Sequence, residues 1–198
     1  MVERFISADC PECWSGNEAA AAGAPAWRFD WVTPTPSGVE APLSAAALVE
    51  SAERALRAGG PPPAAPPPAV PPPASAHRPA ARAAKSPGLA LAVGPAWHGY
   101  FGVQADVHGA LPPGSSLWLA LIEAIPAGAE GNPVARELVR SVAGPLTLAL
   151  PRGKAGIQHL QAMRWPDSAK PERLQARGWI ESANATIIAV GSPRCPLK

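Results

Sequence analysis

The amino-acid sequence predicts an α+β fold, with a small N-terminal α/β module at residues 1–59 and an all-β domain at residues 88–198. Three observations lead to this division. A strand pattern, a Cys-x-x-Cys pair and a helical pattern follow one another near the N-terminus. Residues 60–87 are rich in proline and alanine and include three Pro-Pro-Pro blocks. Beyond them, short apolar runs alternate with glycine and proline turns.

The N-terminal module is predicted to contain two strands and the start of a helix between them. Residues 3–9 read as a short strand, and a helical segment is expected from Cys10 to about residue 22, where Gly23 and Pro25 end it. Residues 26–32 alternate between two faces, which is typical of a strand. The expected faces are Trp27, Phe29 and Trp31 on one side, and Arg28 and Asp30 on the other.

A longer helix is predicted over residues 44–58. Ser44 is expected to cap it and Gly59-Gly60 to end it. Its apolar stripe is expected to comprise Leu48, Ala52, Ala55 and Leu56. The following proline blocks favour polyproline II geometry, so residues 60–87 are interpreted as a stiff spacer. A proline-rich ligand for a recognition module is the alternative.

The C-terminal domain is predicted to be an immunoglobulin-like β-sandwich, because many short strands occur with little helix. Residues 170–178 are too polar for a core strand and are predicted to form a loop. The expected strands are 89–93, 100–107, 117–125, 138–139, 147–150, 157–165 and 186–190.

Composition excludes some classes of function. The net charge of +2 is too mild to predict nucleic-acid binding, which needs a concentrated basic surface. No apolar run reaches the roughly 18 residues of a transmembrane segment. No signal peptide fits before Cys10, so we expect either a cytoplasmic protein or a chain that begins where a signal was removed.

The motif Cys10-Pro11-Glu12-Cys13 is the main chemical signal. A strand, a Cys-x-x-Cys pair and a helix occur in this order in thioredoxins. The first thiol then lies at a helix N-terminus, where the unpaired N–H groups lower its pKa. Cys10 is therefore predicted to attack and Cys13 to resolve the mixed disulfide. Asp9 and Glu12 add negative charge beside the pair and oppose a strongly lowered pKa.

Other interpretations of the pair stay open. The two cysteines could form a structural disulfide or an inactive, degenerate pair. They could also form half of a metal site, completed by Cys195 or by one of three histidines. The candidate histidines are His98, His108 and His159. No second close pair of ligands accompanies the motif, so neither a metal nor another cofactor is predicted.

Two stretches resemble a bacterial family of secreted thioredoxin-like proteins of unknown function. The first is Glu3-Arg-Phe-Ile-Ser-Ala-Asp-Cys-Pro-Glu-Cys13, which is similar to the first strand and cysteine pair of that family. The second contains Leu117-Trp-Leu-Ala-Leu-Ile-Glu123, then Glu130-Gly-Asn132 and Leu138-Val-Arg140. Trp14 stands where the family has a proline. The resemblance implies a periplasmic or secreted protein with a thioredoxin-like half.

These observations predict an envelope protein related to thiol–disulfide redox proteins, with Cys10 and Cys13 as the catalytic pair. Its expected partner is a protein thiol or disulfide, or another envelope protein. The alternative is a non-enzymatic accessory protein, in which the β-sandwich binds a partner and the cysteines form a fixed disulfide or a metal half-site. The sequence makes no prediction of oligomeric state.

Overall fold

A computed structural model of the chain describes residues 1–16, 27–59, 87–149 and 156–193. Within these ranges the structure contains nine β-strands and two α-helices. The strands form two sheets, one of six strands and one of three. Most of the predicted spacer, residues 60–86, lies outside the described residues, as does Cys195.

The N-terminal part alternates strands and helices. Two short 3₁₀ turns, Gly38–Glu40 and Ser44–Ala46, precede the second α-helix. The regular elements are β1 (Val2–Ser7), α1 (Pro11–Ser15), β2 (Arg28–Thr33) and α2 (Val49–Arg57).

The C-terminal part contains seven strands and a 3₁₀ turn at Pro171–Arg173. Six of the seven predicted sandwich strands are present, several of them longer than expected, but the strand predicted at 147–150 is not: Thr147 ends β6, residues 148–149 lie outside any strand and residue 150 lies outside the described residues. The strands are β3 (Gly88–Val93), β4 (Tyr100–His108), β5 (Ser116–Ile125), β6 (Arg136–Thr147), β7 (Gly156–Arg164), β8 (Leu174–Glu181) and β9 (Ile187–Gly191).

The larger sheet has the strand order β1-β2-β6-β5-β8-β9. Strand β2 lies parallel to β1 and also parallel to β6, where Asp30 is opposite Leu138. The remaining pairs in this sheet are antiparallel. The smaller sheet, β3-β4-β7, is entirely antiparallel. The two N-terminal strands therefore extend the sheet of the C-terminal part.

The predicted α+β class is wrong. The described chain is mostly β, and β1, α1 and β2 do not form a thioredoxin-like α/β module. A five-residue helix is too small to cover a separate parallel sheet, whose strands need both faces buried. Strand β2 instead lies inside the six-stranded sheet, with Trp14 packed on one face and Leu48 on the other, and Phe29 to Thr33 are all buried. The two parallel pairs also distinguish the larger sheet from the antiparallel sheets of an immunoglobulin-like sandwich.

The core has three parts. One lies between the two sheets and includes Val103, Leu119 and Ile180, so the sandwich-like packing expected from the strand pattern is present. The other two lie on opposite faces of the β1-β2-β6 side of the larger sheet. One of them contains Ile6, Trp14, Val32 and Leu138, and the other contains Phe29, Trp31, Trp118, Val139 and Trp179.

Two further predictions about secondary structure are wrong. Residues 174–178, expected in a loop, belong to β8, which pairs with both β5 and β9. Its polar residues flank small ones, and Gly178 packs beside the side chains of Leu119 and Leu91. The second helix begins at Val49 and not after Ser44, because Ala47 first bridges to Val32 of β2.

The buried face of α2 also differs from the predicted apolar stripe. Leu56 is 56% exposed, whereas Ser51, Arg54 and Ala55 are buried. Arg54 forms ion pairs with Glu3 of β1 and Glu181 of β8. This helix therefore docks through a charged side chain that a hydrophobic pattern does not indicate.

Candidate functional site

The Cys-x-x-Cys pair follows β1 and begins α1. Cys10 occupies the N-cap position, with Pro11 in the first helical turn. The backbone N–H of Cys10 donates to the carbonyl of Ser7 over 3.0 Å, and that of Cys13 donates to the carbonyl of Cys10 over 3.1 Å. These bonds form a tight turn that brings the two sulfurs together.

Cys10 and Cys13 form a disulfide, with their Cα atoms 5.2 Å apart. Cys13 is exposed, whereas Cys10 is more enclosed. The structure thus brings the two predicted site residues together in their oxidised form. Of the two residues, Cys13 is the more accessible to solvent.

Negative charge lies directly beside the disulfide. Oε1 of Glu12 is 3.1 Å from Sγ of Cys10, and Asp9 is exposed one residue before the pair. A carboxylate at this distance disfavours a thiolate on Cys10, because two like charges then share one site. The electrostatics therefore favour the disulfide over the reduced, ionised pair.

Trp14 fixes the disulfide segment to the sheet. Its side chain is 8% exposed and packs with Ile6, Val32 and Leu138. The guanidinium of Arg136 lies 5.5 Å from the centre of the indole ring. The aromatic residue after the second cysteine is thus an anchor for the turn.

Arg136 connects this segment to two strands. Its Nε donates to Oδ1 of Asn132 over 2.7 Å, its Nη1 reaches Oδ2 of Asp30 over 3.4 Å, and its Nη2 donates to the carbonyl of Gly16. Burial, together with the nearby positive charge of Arg4, lowers the pKa of Arg136 from its usual value. One guanidinium therefore holds the end of α1, the start of β6 and the middle of β2.

The metal alternative has limited support in the structure. Potential ligand atoms of Cys10, Glu12 and Cys13 lie within 4.8 Å of one another. Both sulfurs are joined in the disulfide, so neither is a thiolate ligand in this state. Within the described ranges, none of the predicted histidines belongs to this cluster. The predicted contribution of Cys195 lies outside the described residues.

A second candidate site lies where the N-terminal part meets the sandwich. It is an open cavity of about 440 Å³, lined by residues from 48–50, by 140–142 of β6 and by 164–167 at the end of β7. Arg140 is its most enclosed charged side chain, at 6% exposure. Nε of Arg140 donates over 2.6 Å to Oε2 of Glu123, which is fully buried.

A β-bulge places Arg140 in this cavity. Along β5, Leu121 and Ile122 are consecutive, but their partners on β6 are Ser141 and Val139. Arg140 is therefore the extra residue of β6, and such a residue is turned away from the regular alternation. Sequence reasoning missed this site. Glu123 is the one charged residue of the apolar strand β5, and a buried charge needs a charged partner, so this residue was a signal for a buried ion pair.

A third cluster of charges is structural. Arg54 lies beside the stacked rings of Trp118 and Trp179, with its guanidinium carbon 5.0 Å and 5.3 Å from their centres. Nε1 of Trp118 also donates to Oε2 of Glu181 over 2.9 Å. Burial alone lowers the pKa of Arg54, but bonding to Glu3 and Glu181 outweighs it, and the net effect raises that pKa. The acceptors of this cluster, Glu3 and Glu181, hold α2 on the sheet through Arg54.

Comparisons with protein-family models, curated proteins and solved structures found no match to this chain. In the part of the chain that the structure describes, neither helix has the length and apolar character needed to cross a bilayer.

Proposed function

We propose that this protein takes part in thiol–disulfide exchange through Cys10 and Cys13, with a protein dithiol of the bacterial envelope as its partner. The observation that carries the proposal is the disulfide itself, which lies at the surface with Cys13 exposed. A structural disulfide has no need of an accessible sulfur, whereas exchange begins with attack on one.

The exposure of the two cysteines suggests an order of events in which Cys13, and not Cys10 as predicted from the sequence, exchanges with the partner. A partner thiolate attacks Sγ of Cys13, the bond to Cys10 breaks, and Sγ of Cys10 leaves with the electron pair and takes a proton from water. A second thiolate of the partner then attacks the partner's own sulfur in the mixed disulfide, and Sγ of Cys13 leaves. The partner dithiol is oxidised to a disulfide, and the Cys10–Cys13 pair is reduced.

The carboxylate of Glu12 is expected to slow this reaction. Cys10 leaves as a thiolate 3.1 Å from that carboxylate, and like-charge repulsion makes it a poor leaving group. The contacts that anchor Trp14 and Arg136 also support the proposal. Because these contacts do not involve either sulfur, the turn keeps its position when the disulfide opens.

Single-cysteine variants test the proposal. Cys10→Ser and Cys13→Ser, each combined with Cys195→Ser, are reacted with glutathione disulfide, and the mixed disulfide is followed by mass spectrometry. We expect the remaining Cys13 to react about ten times faster than the remaining Cys10, because exposed thiols react first. The variant lacking all three cysteines is the control. Equal or reversed rates would contradict the assigned order.

In the accessory-protein alternative, the disulfide is a fixed structural link within the turn that Trp14 and Arg136 anchor. Reduction of the native protein separates the two functions. If Cys10–Cys13 opens in dithiothreitol while the protein stays folded, exchange is supported. If it opens only when the chain unfolds, the pair is a structural disulfide and the exchange proposal is wrong.

A further inference from the structure

The cavity at Arg140 is independent of the disulfide and has the features of a binding site. It is formed by three segments that are distant in sequence, and it lies between the N-terminal part and the sandwich. Small-molecule sites occur preferentially at such junctions and combine apolar walls with a few polar groups. Here Leu48, Val142 and Trp165 provide the walls.

One edge of the Arg140 guanidinium has no partner among the described residues. Its Nε is bonded to Glu123, but neither Nη1 nor Nη2 hydrogen bonds to a described residue. Neither nitrogen is among the fully enclosed unpaired atoms either, so both keep access to solvent. An arginine held by a carboxylate on one side, with its fork open on the other, is arranged to bind a planar anion through two parallel bonds.

Glu123 prepares Arg140 for this role. The carboxylate accepts from Arg140 on one oxygen, and its other oxygen accepts from the backbone N–H of Lys170 over 3.3 Å. Both oxygens are thus engaged and the ion pair is almost completely enclosed. The bulge fixes the backbone at Arg140, and the bond from Lys170 fixes the Glu123 carboxylate that holds the guanidinium. A ligand therefore does not have to order a mobile side chain.

The other charges of the cavity determine what kind of anion fits. Arg164 adds a second positive charge, but Glu50 and Asp167 add two exposed carboxylates at the same cavity. A multiply charged anion such as phosphate meets repulsion from these groups. A ligand with one carboxylate and one ammonium meets opposite charges at both ends.

We propose that this cavity binds a small zwitterionic carboxylate of the amino-acid class. The carboxylate bonds to Nη1 and Nη2 of Arg140, the ammonium faces Glu50 and Asp167, and an apolar side chain contacts Trp165. Arg140 is the specificity-determining residue, and Glu123 positions it.

Three matched probes test the chemistry by isothermal titration calorimetry on the full chain. Leucine carries both charges, 4-methylpentanoate carries only the carboxylate, and 3-methylbutylamine carries only the ammonium. We expect leucine to bind with a Kd of about 1 mM or tighter. The acid is expected to bind more weakly and the amine not to bind. The proposal would be overturned if the amine bound as tightly as leucine. It would also be overturned if neither leucine nor the acid bound at about 10 mM, which is tenfold above the expected Kd.

A paired variant tests the assigned residue. Glu123→Gln combined with Arg140→Gln replaces the ion pair by two amides that can still bond to each other, so no buried charge is left alone. We expect leucine to bind at least about tenfold more weakly to this variant, since the bidentate charged contact is lost. Arg173→Gln removes an arginine that bonds to Glu130 outside the cavity and is the control. Unchanged affinity in a paired variant that remains folded would overturn the assignment of Arg140.

Discussion

Arg136 lies over Trp14, with its guanidinium carbon 5.5 Å from the centre of the indole ring. The two residues are 122 positions apart in sequence (136 − 14), yet together they join the disulfide turn to β6. Because the same guanidinium bonds to Asn132, Asp30 and Gly16, the contact is part of a network. The position of Cys10 and Cys13 therefore depends on the C-terminal part of the chain.

Replacing Arg136 by lysine tests this dependence. Lysine keeps the charge, but its three donors share one nitrogen, so it cannot reach the three acceptors that Nε, Nη1 and Nη2 of arginine reach separately. We expect the free energy of unfolding to fall by about 2 kcal/mol, in line with the loss of charged hydrogen bonds. Urea denaturation measures that loss, and hydrogen exchange should show faster exchange of the backbone amides of residues 10–16.

A matched variant controls for this result. Arg173→Lys changes an arginine whose partner, Glu130, is exposed, so little change in stability is expected. Equal protection of residues 10–16 in Arg136→Lys and in the native chain would show that the bonds of Arg136 are not needed to hold the turn.

Arg54 is expected to be the most sensitive charged residue of the fold. Its side chain is 2% exposed, and removing it leaves the enclosed carboxylates of Glu3 and Glu181 without their main partner. We expect Arg54→Met to lower the free energy of unfolding by about 3–5 kcal/mol. Thermal and urea denaturation measure the change.

The neighbouring Arg57 is the internal control for that prediction. It also bonds to Glu181, over 3.0 Å, but its side chain is 33% exposed. Solvent screens the exposed side of this pair, so Arg57→Met should cost about 1 kcal/mol or less. If the two variants lose equal stability, burial is not what determines the contribution of each arginine.

Glu12→Gln tests the influence of charge on the disulfide. The glutamine keeps the shape of the side chain but removes the charge 3.1 Å from Sγ of Cys10. Two charges about 4 Å apart in water repel by about 1 kcal/mol, which corresponds to a rate change of roughly fivefold. Reduction by dithiothreitol, followed by thiol alkylation, should therefore be about three to five times faster in the variant.

Glu53→Gln provides the comparison for Glu12, because it removes an exposed carboxylate from α2. Its disulfide should be reduced at the native rate. An unchanged rate in Glu12→Gln, with the fold intact, would mean that access to the sulfurs and not charge limits the reaction.

Gly191 is predicted to be essential for the contact between the two sheets. A Cβ atom at this position would lie 2.7 Å from the carbonyl oxygen of Leu89 and 2.8 Å from its Cγ. The backbone of β3 cannot move aside without breaking its pairing with β4, so Gly191→Ala should lower the free energy of unfolding by about 1–3 kcal/mol. Denaturant unfolding measures the loss.

Gly102 of β4 is the matched glycine for this experiment. A Cβ atom there meets nothing within 4 Å, and its backbone is not in the left-handed region. Gly102→Ala should be neutral or slightly stabilising, because alanine restricts the unfolded chain. A loss in Gly102→Ala as large as that in Gly191→Ala would show that strand propensity, and not the contact with Leu89, is responsible.

Much of the local structure could be predicted from the sequence. The alternation around Phe29 and Trp31 identified β2, and the spacing of Cys10 and Cys13 identified a pair that the structure joins in a disulfide. These predictions succeeded because a strand period and a tight turn depend on neighbouring residues. The assignment of β8 failed because polar residues such as Arg177 and Gln175 alternate with the small and apolar residues that pack inward, so the segment as a whole is polar.

The sequence by itself determined most of the strands, though not β8, and the close spacing of Cys10 and Cys13, since both follow from contacts within a few residues. Only the tertiary structure decided that β1 and β2 extend the sheet of the C-terminal part and that Arg140 projects from a bulge into a cavity. Those features depend on contacts between segments about 100 residues apart, such as Asp30 beside Leu138. A parallel pair of strands is stable when both of its faces are buried, which favours a place inside the larger sheet. No local pattern in the sequence shows which distant segments pack against those faces.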